Sequence, residues 1–167
     1  MSDNRMLDVL KGAILLEERG KALYESVFQT TRIAAVKELF EFLAREEVKH
    51  IELLRTQFVR QKNDRPVDIG SPAPDSSSPA DHVVSEKIIG QISAAGYEAA
   101  VISAALELEK KAVNYYAEQA EAAASRPEKQ LFEWLSEWEK SHMQMLARID
   151  GDLREKVWFD NRFWPLD

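Results

Sequence analysis

The chain repeats itself at a spacing of 92 residues, and this repeat constrains its fold more than any other feature. The segment KELFEFLAREEVKHIELL, beginning at Lys37, aligns without a gap with KQLFEWLSEWEKSHMQML, beginning at Lys129. The same offset places Glu17 of LLEERGKALY over Glu109 of LELEKKAVNYY. Because one offset fits two successive segments, the sequence predicts a duplicated helical hairpin.

Glycine and proline occur only six times each, which favours a mainly helical chain. Four of the prolines lie in NDRPVDIGSPAPDSSSPAD, between residues 63 and 81, where no helix can continue. We therefore expect an all-α antiparallel four-helix bundle made of two repeated helical hairpins. It is one domain over 1–167, made of hairpin 1 at about 4–61, a long connection at about 63–81, hairpin 2 at about 85–150 and an aromatic tail at 151–167.

Capping residues and turn signals set the expected helix boundaries. The predicted helices run from Asp3 or Asn4 to about Thr30, from about Ile33 to Gln61, from Ser85 to about Ser93, from Tyr97 to about Ala124, and from Pro127 to about Ile149. Gly151 is expected to end the last of them, because glycine favours positions just beyond a helix.

Composition excludes several classes of function. The net charge is −7 and no run of Lys and Arg is present, which argues against nucleic acid or a membrane surface as partner. Cysteine is absent, so any metal must be held by oxygen and nitrogen. We find neither a basic, apolar leader nor a stretch of about 20 apolar residues, and we expect a cytoplasmic protein.

Each predicted helix carries a glutamate in the middle of its apolar face, where a core residue is expected. Two of these glutamates are followed three positions later by a histidine on the same side of the helix. The six residues are Glu17, Glu47, His50, Glu109, Glu139 and His142. Burying four uncompensated carboxylates would cost several kcal/mol each. Four carboxylates match the charge of two divalent ions, and imidazole suits iron, manganese or zinc.

Neighbouring positions support this interpretation. Gly20 and Ala112 lie one turn after the single glutamates and leave room for ions or a small oxidant. Tyr24 and Tyr116, two turns after them, can hydrogen-bond a ligand carboxylate as second-layer catalytic residues or be ordinary core aromatics. Other polar residues fall outside this pattern. We expect solvated surface charges at Glu18, Glu46, Glu107 and Glu137, and a structural or incidental role for His82.

The C-terminal segment VWFDNRFWPLD brings four large aromatic residues close together beyond the last helix. They are Trp158, Phe159, Phe163 and Trp164. Such residues can cover one end or side of the bundle or form a dimer contact, and binding of a ligand is the less favoured alternative.

The four segments LLEERGKALY, LAREEVKH, LELEKKAVNYY and LSEWEKSH resemble the ligand segments of the rubrerythrin-like branch of the ferritin-like superfamily. The resemblance implies a di-iron centre of two iron ions, with manganese or zinc as substitutes. Its ligands would be Glu17, Glu47, His50, Glu109, Glu139 and His142. It also implies that Glu47 or Glu139 chelates one iron and that Glu17 or Glu109 is available as a bridge.

The chain departs from full rubrerythrins in two respects. Those proteins add a rubredoxin domain with four cysteines, whereas this chain has none and is expected to need an external electron donor. They also carry an extra glutamate on the third helix, where this chain has Ala112, which argues against efficient reduction of hydrogen peroxide.

The leading functional hypothesis is a di-iron oxidoreductase that reacts with hydrogen peroxide or dioxygen in oxidative-stress defence. The residues Glu17, Glu47, His50, Glu109, Glu139 and His142 would be catalytic through their metal ions. The alternatives are a ferroxidase that stores or delivers iron, and a metal-stabilised structural module without turnover. Hydroxylation of an organic substrate stays open, and a homodimer is expected from the aromatic tail and from the family resemblance.

Overall fold

A computed structural model describes the backbone of residues 2–70 and 81–159 and the side chains of residues 5–70 and 85–159. This part of the chain contains five helices and no strand. The helices are α1 (Ser2–Thr30), α2 (Ala34–Lys62), α3 (Asp81–Gln91), α4 (Tyr97–Glu121) and α5 (Arg126–Phe159). The all-α, ferritin-like bundle predicted from the sequence is confirmed. The single-domain assignment over 1–167 stays a prediction.

The four long helices form two hairpins. α1 packs mainly on α2 after a connection of three residues, and α4 packs mainly on α5. The hairpins meet with α1 against α4, where Tyr24 contacts Glu109 and Tyr116 contacts Glu17. Because residue number rises on one helix as it falls on the other, α1 and α4 are antiparallel. α3 is shorter and packs against α5 and α2.

A layer of polar residues divides the interior into two apolar clusters. One cluster contains the helix ends around Val36, Ile102 and Ile149, together with Ile88 of α3. The other contains the opposite ends around Leu10 and Leu131. On every long helix the predicted ligand residues lie between the parts that enter these two clusters. The apolar clusters therefore fix the four helices on both sides of the polar layer.

The last helix is longer than predicted, because α5 continues through Gly151 to Phe159. Leu153 is 2% exposed and packs in the same apolar cluster as Ile88. Ser85 donates a hydrogen bond to Asp152, and Lys156 donates to the carbonyl of Ile89. Burying a leucine contributes about 1.5–3 kcal/mol, which exceeds the roughly 1 kcal/mol that glycine costs inside a helix. The prediction that Gly151 ends the helix was wrong.

The aromatic residues of the tail do not cover the bundle where the structure describes them. Trp158 is 71% exposed and Phe159 is 78% exposed, both on the final turn of α5. Phe163 and Trp164 lie outside the described residues. The side chain of His82 is also outside them, so its predicted role stays untested. None of the described helices is long and apolar enough to span a bilayer.

Candidate metal centre

The six residues singled out from the sequence converge in the polar layer. Each comes from the inner face of a long helix: Glu17 from α1, Glu47 and His50 from α2, Glu109 from α4, and Glu139 and His142 from α5. All six are at most 3% exposed. A spacing of three residues turns a helix by about 60°, so each Glu-x-x-His pair directs both side chains to one side. Their assignment as metal ligands stays a prediction.

The six residues form two overlapping groups whose ligand atoms lie within 4.8 Å of one another. The first contains Glu17, Glu47, His50 and Glu139, and the second contains Glu109, Glu139 and His142. Glu139 belongs to both. Its Oε1 lies 2.6 Å from Nδ1 of His50, and its Oε2 lies 3.4 Å from Nδ1 of His142. The resemblance implied Glu17 or Glu109 as a bridge, whereas here Glu139 is the carboxylate that lies between the two histidines.

Several buried polar atoms in this layer have no hydrogen-bond partner. They are Oε2 of Glu47, Nε2 of His50, both carboxylate oxygens of Glu139 and Nδ1 of His142. Oε1 of Glu139 therefore lies very close to His50 without hydrogen-bond geometry. Leaving such groups unpaired costs about 1–3 kcal/mol each, and more when they are charged. Donor atoms that converge in this way need a cation among them, so the residues fit a metal centre.

The carboxylates disturb one another's ionisation. Burial, followed by the charges of Glu17 and Glu139, raises the pKa of Glu47 well above its usual 4.5. Burial and Glu139 raise the pKa of Glu109 in the same way. Burial also opposes ionisation of Glu17, but hydrogen bonds with Glu47 and His50 outweigh it and lower the pKa of Glu17 to about 2. Without a cation, the layer therefore retains protons on some of its carboxyl groups.

The two histidines respond in opposite directions. Burial favours neutral His50, but the carboxylates of Glu139, Glu17 and Glu47 outweigh it and raise its pKa well above 6.5. Burial lowers the pKa of His142 below 6.5, although Glu109 acts against this. The rings lie 5.9 Å apart between centroids, so a positive charge on His50 also disfavours one on His142.

Two tyrosines cross between the hairpins and donate to the single glutamates. Tyr24 of α1 donates to Oε1 of Glu109 on α4 at 2.5 Å, and Tyr116 of α4 donates to Oε1 of Glu17 on α1. Both tyrosines are fully buried. Burial and the nearby glutamates raise the pKa of both phenols, so they remain donors. The hydrogen bonds expected from the sequence are present, and each hairpin orients a carboxylate of the other.

The small residues near the single glutamates are not equivalent in the structure. A Cβ added at Gly20 would lie 3.2 Å from Oε1 of Glu47 and 3.3 Å from its carboxyl carbon. The close approach of Glu47 to α1 therefore depends on glycine. Ala112, the equivalent residue of hairpin 2, has such a Cβ and packs in an apolar cluster. The space beside α1 is occupied by the carboxylate of Glu47.

Sequence reasoning missed one pair beside the centre. Glu46 was expected at the surface but is 3% exposed, which corrects that prediction. Its carboxylate accepts a hydrogen bond from Nε1 of Trp138 at 3.0 Å and lies 2.7 Å from Nζ of Lys49. The indole of Trp138 covers the ring of His50, with 4.6 Å between centroids. By contrast, Glu107 and Glu137 are exposed, as expected for surface charges, and Glu18 is partly exposed.

The repeat offset contained a signal for this pair. Glu46 and Trp138 occupy equivalent positions, 92 residues apart, in the two aligned segments. In the structure these two equivalent residues, one from each hairpin, are hydrogen-bonded to each other. Phe42 and Trp134 are equivalent as well, and Phe42 packs against His142 with 6.0 Å between centroids.

Comparison with known proteins identifies a family. The protein-family model described as Rubrerythrin matches residues 8–74 and 100–161, which together make up more than two thirds of the chain. Both matched segments include predicted ligand residues, three in each, whereas α3 lies outside the match. No curated protein and no solved structure matches the chain significantly.

Proposed function

This chain belongs to the rubrerythrin family, and from that premise we propose that it is a di-iron oxidoreductase that reacts with hydrogen peroxide or dioxygen in oxidative-stress defence. One observation carries the proposal. Two buried groups of carboxylates and imidazoles overlap at Glu139, and five of their nitrogen and oxygen atoms have no hydrogen-bond partner. Their carboxylate and imidazole donors suit iron, and also manganese or zinc.

The proposed ligands divide between these two groups. Glu17, Glu47 and His50 would hold one ion, Glu109 and His142 the other, and Glu139 would contact both. When bound, a pair of iron ions supplies two electrons to an oxidant and returns to the reduced state at the expense of an external donor.

The protein residues prepare this chemistry. The apolar clusters on both sides exclude bulk water from the polar layer. Tyr24 and Tyr116 hold Glu109 and Glu17 through their hydroxyl groups, which fixes the direction of the carboxylate lone pairs. Their O–H groups are also the nearest buried proton donors to the single glutamates. We propose that they stabilise charge that develops on these carboxylates.

Metal content and reactivity test the proposal together. Protein expressed with iron is expected to contain two iron ions per chain by elemental analysis. After anaerobic reduction, hydrogen peroxide should restore the ferric absorption band rapidly. His50→Ala should abolish this reaction, because it removes the imidazole at the centre of the first group. Glu137→Gln, which changes an exposed carboxylate on α5, is the matched control.

Contrary results have clear meanings. Unchanged kinetics in His50→Ala would refute the assignment of the centre. Bound metal that neither peroxide nor dioxygen changes would support a structural module without turnover. Iron taken up in large excess of the ligand groups would support storage.

Partners and location remain part of the proposal. We propose a cytoplasmic homodimer that takes electrons from an external donor and has neither nucleic acid nor membrane as partner. Size-exclusion chromatography tests the assembly, because a closed storage shell would elute far ahead of a dimer of this 19.1 kDa chain.

A further inference from the structure

A line of aromatic rings connects the candidate metal centre with the outside of the bundle. His50, which is fully buried, packs edge-to-face with Trp138, and the ring centroids lie 4.6 Å apart. Trp138 packs in the same manner with Trp134 at 4.4 Å. Both tryptophans are only partly buried. Since electron tunnelling weakens exponentially with the gap between rings, contacts this close provide a short path from His50 to the surface.

The indole of Trp138 also has a partner for its proton. Its Nε1 donates to Oε2 of Glu46 at 3.0 Å. Glu46 is buried but belongs to neither of the two metal-binding groups. An oxidised indole becomes acidic at nitrogen, so a carboxylate already hydrogen-bonded there lowers the cost of removing an electron. The carboxylate that accepts from the indole is therefore not one of the proposed metal ligands.

We propose that Trp134 and Trp138 form an electron relay between the surface and the metal centre, with Glu46 as the proton acceptor of Trp138. The relay rests on the proposed function, which supplies hydrogen peroxide as oxidant and an external one-electron reductant. Trp138 passes one electron toward the centre while its Nε1–H bond breaks and the proton moves to Glu46. An electron from Trp134 then refills Trp138, and the proton returns to Nε1.

Electrons enter the relay at Trp134, from the external reductant. The external reductant refills Trp134 with one electron. Two such cycles deliver the two electrons that, with two protons, reduce one molecule of hydrogen peroxide to two molecules of water. Each tryptophan is unchanged at the end, so the relay consumes only peroxide, protons and electrons from the donor.

A second aromatic path, through Tyr116 and Tyr115, is less suitable. The two rings lie 5.5 Å apart between centroids, and Tyr115 is partly buried. Tyr116, however, donates its proton to Glu17, which is a proposed metal ligand. A carboxylate whose lone pairs bind a divalent metal ion is a poor proton acceptor. Glu46 is not among the proposed metal ligands: its Oε1 pairs with Lys49, and its Oε2 accepts from Nε1 of Trp138, which favours the tryptophan path.

The test uses iron-loaded, reduced full-length protein mixed with excess hydrogen peroxide without added reductant. Rapid freezing and electron paramagnetic resonance should detect a tryptophanyl radical. Peptide mass spectrometry should then find oxidised products at Trp134 and Trp138. Trp138→Phe, which keeps an aromatic ring over His50, should lose the radical and reduce oxidation of Trp134 to background. Trp158→Phe, at an exposed tryptophan on the last turn of α5, should change neither readout.

Glu46→Gln separates proton transfer from packing. Glutamine keeps an oxygen that accepts from Nε1 of Trp138 but cannot take up its proton. We expect unchanged iron content with a loss of radical yield. An undiminished radical in Glu46→Gln would overturn the proton-acceptor role, and unchanged Trp134 oxidation in Trp138→Phe would overturn the relay.

Two further outcomes also decide the proposal. A tyrosyl radical that persists in Trp138→Phe would assign the path to Tyr116 and overturn the tryptophan relay, while the di-iron proposal would stand. Iron-loaded, reduced protein whose optical spectrum responds to neither peroxide nor dioxygen would overturn the proposed function, and the relay with it.

Discussion

The two hairpins present the same ligand types but surround them differently. The group around His50 has four candidate ligands and the group around His142 has three, because Glu139 enters both and Glu47 enters one. Equivalent positions hold different residues: Gly20 corresponds to Ala112, and Glu46 corresponds to Trp138. The pKa of His50 is raised and that of His142 is lowered.

This difference shows how a duplicated site becomes two unequal sites. The candidate ligand residues are of the same types in both hairpins, while the residues that touch them differ. Trp138 covers His50, whereas Phe42 and the charge of Glu46 are near His142. If each group binds one ion, as proposed, we expect the two ions to differ in affinity and accessibility. Variants at matched positions can remove or increase the difference.

The largest effect is expected from Glu139→Gln, because this carboxylate belongs to both groups. Metal should be lost from both, by more than the ~10–100-fold that loss of an outer partner costs. Glu47→Gln, at the equivalent position of hairpin 1, should weaken metal binding only by the group around His50. Elemental analysis after equilibrium dialysis measures both variants. Equal loss in the two would contradict the shared position of Glu139.

Substitution of either tyrosine should weaken metal binding less than Glu139→Gln does. Each substitution should affect the group whose single glutamate lies on the other hairpin. Tyr116→Phe removes the donor to Glu17 and should weaken metal binding around His50 by roughly 10–100-fold. Tyr24→Phe removes the donor to Glu109 and should weaken binding around His142 by a similar factor. Metal titration followed by optical absorption compares the two variants. Weaker metal binding by the group on the tyrosine's own hairpin would refute the crossed arrangement.

Gly20→Ala makes hairpin 1 resemble hairpin 2 and should stabilise the metal-free protein more than the metal-loaded protein. Metal-free protein should become more stable by about 0.5–1 kcal/mol, because alanine favours the helix and Glu47 can move aside. Metal-loaded protein should lose that gain, because the new Cβ presses on a fixed carboxylate. Gly151→Ala, which meets no neighbouring atom within 4 Å, is the control and should stabilise both forms. Thermal unfolding with and without metal measures the effects.

The smallest effect concerns the histidines of the metal-free protein. His50, with its raised pKa, contributes stability that is present below pH 6.5 and is lost as the pH rises through its folded-state pKa. His142, with its lowered pKa, contributes stability that is present above pH 6.5 and is lost as the pH falls through its folded-state pKa. Imidazole NMR titration should show His50 protonated above pH 6.5 and His142 neutral below it. Identical titration of both rings would remove the proposed asymmetry.

Most of the fold was predictable because its signals are local. The start of α4 at Tyr97 and the end of α1 at Thr30 were predicted correctly, and the bounds of α2 differ from the prediction by one residue. The length of α5 was not predicted correctly. The part of this helix beyond Gly151 is stabilised by α3, which lies more than 50 residues earlier in the chain. A glycine considered alone favours a helix end, and only its distant neighbours reverse that preference.

The sequence by itself determined which residues enter the polar layer. Helical periodicity places Glu17, Glu47, Glu109 and Glu139 on inner faces, and the repeat identifies them as equivalents. Only the tertiary structure decided that Glu139 lies in both groups, that the tyrosines cross between hairpins, and that Glu46 is buried against Trp138. Periodicity within one helix specifies a direction from its axis. The partner found in that direction depends on how helices from different parts of the chain pack.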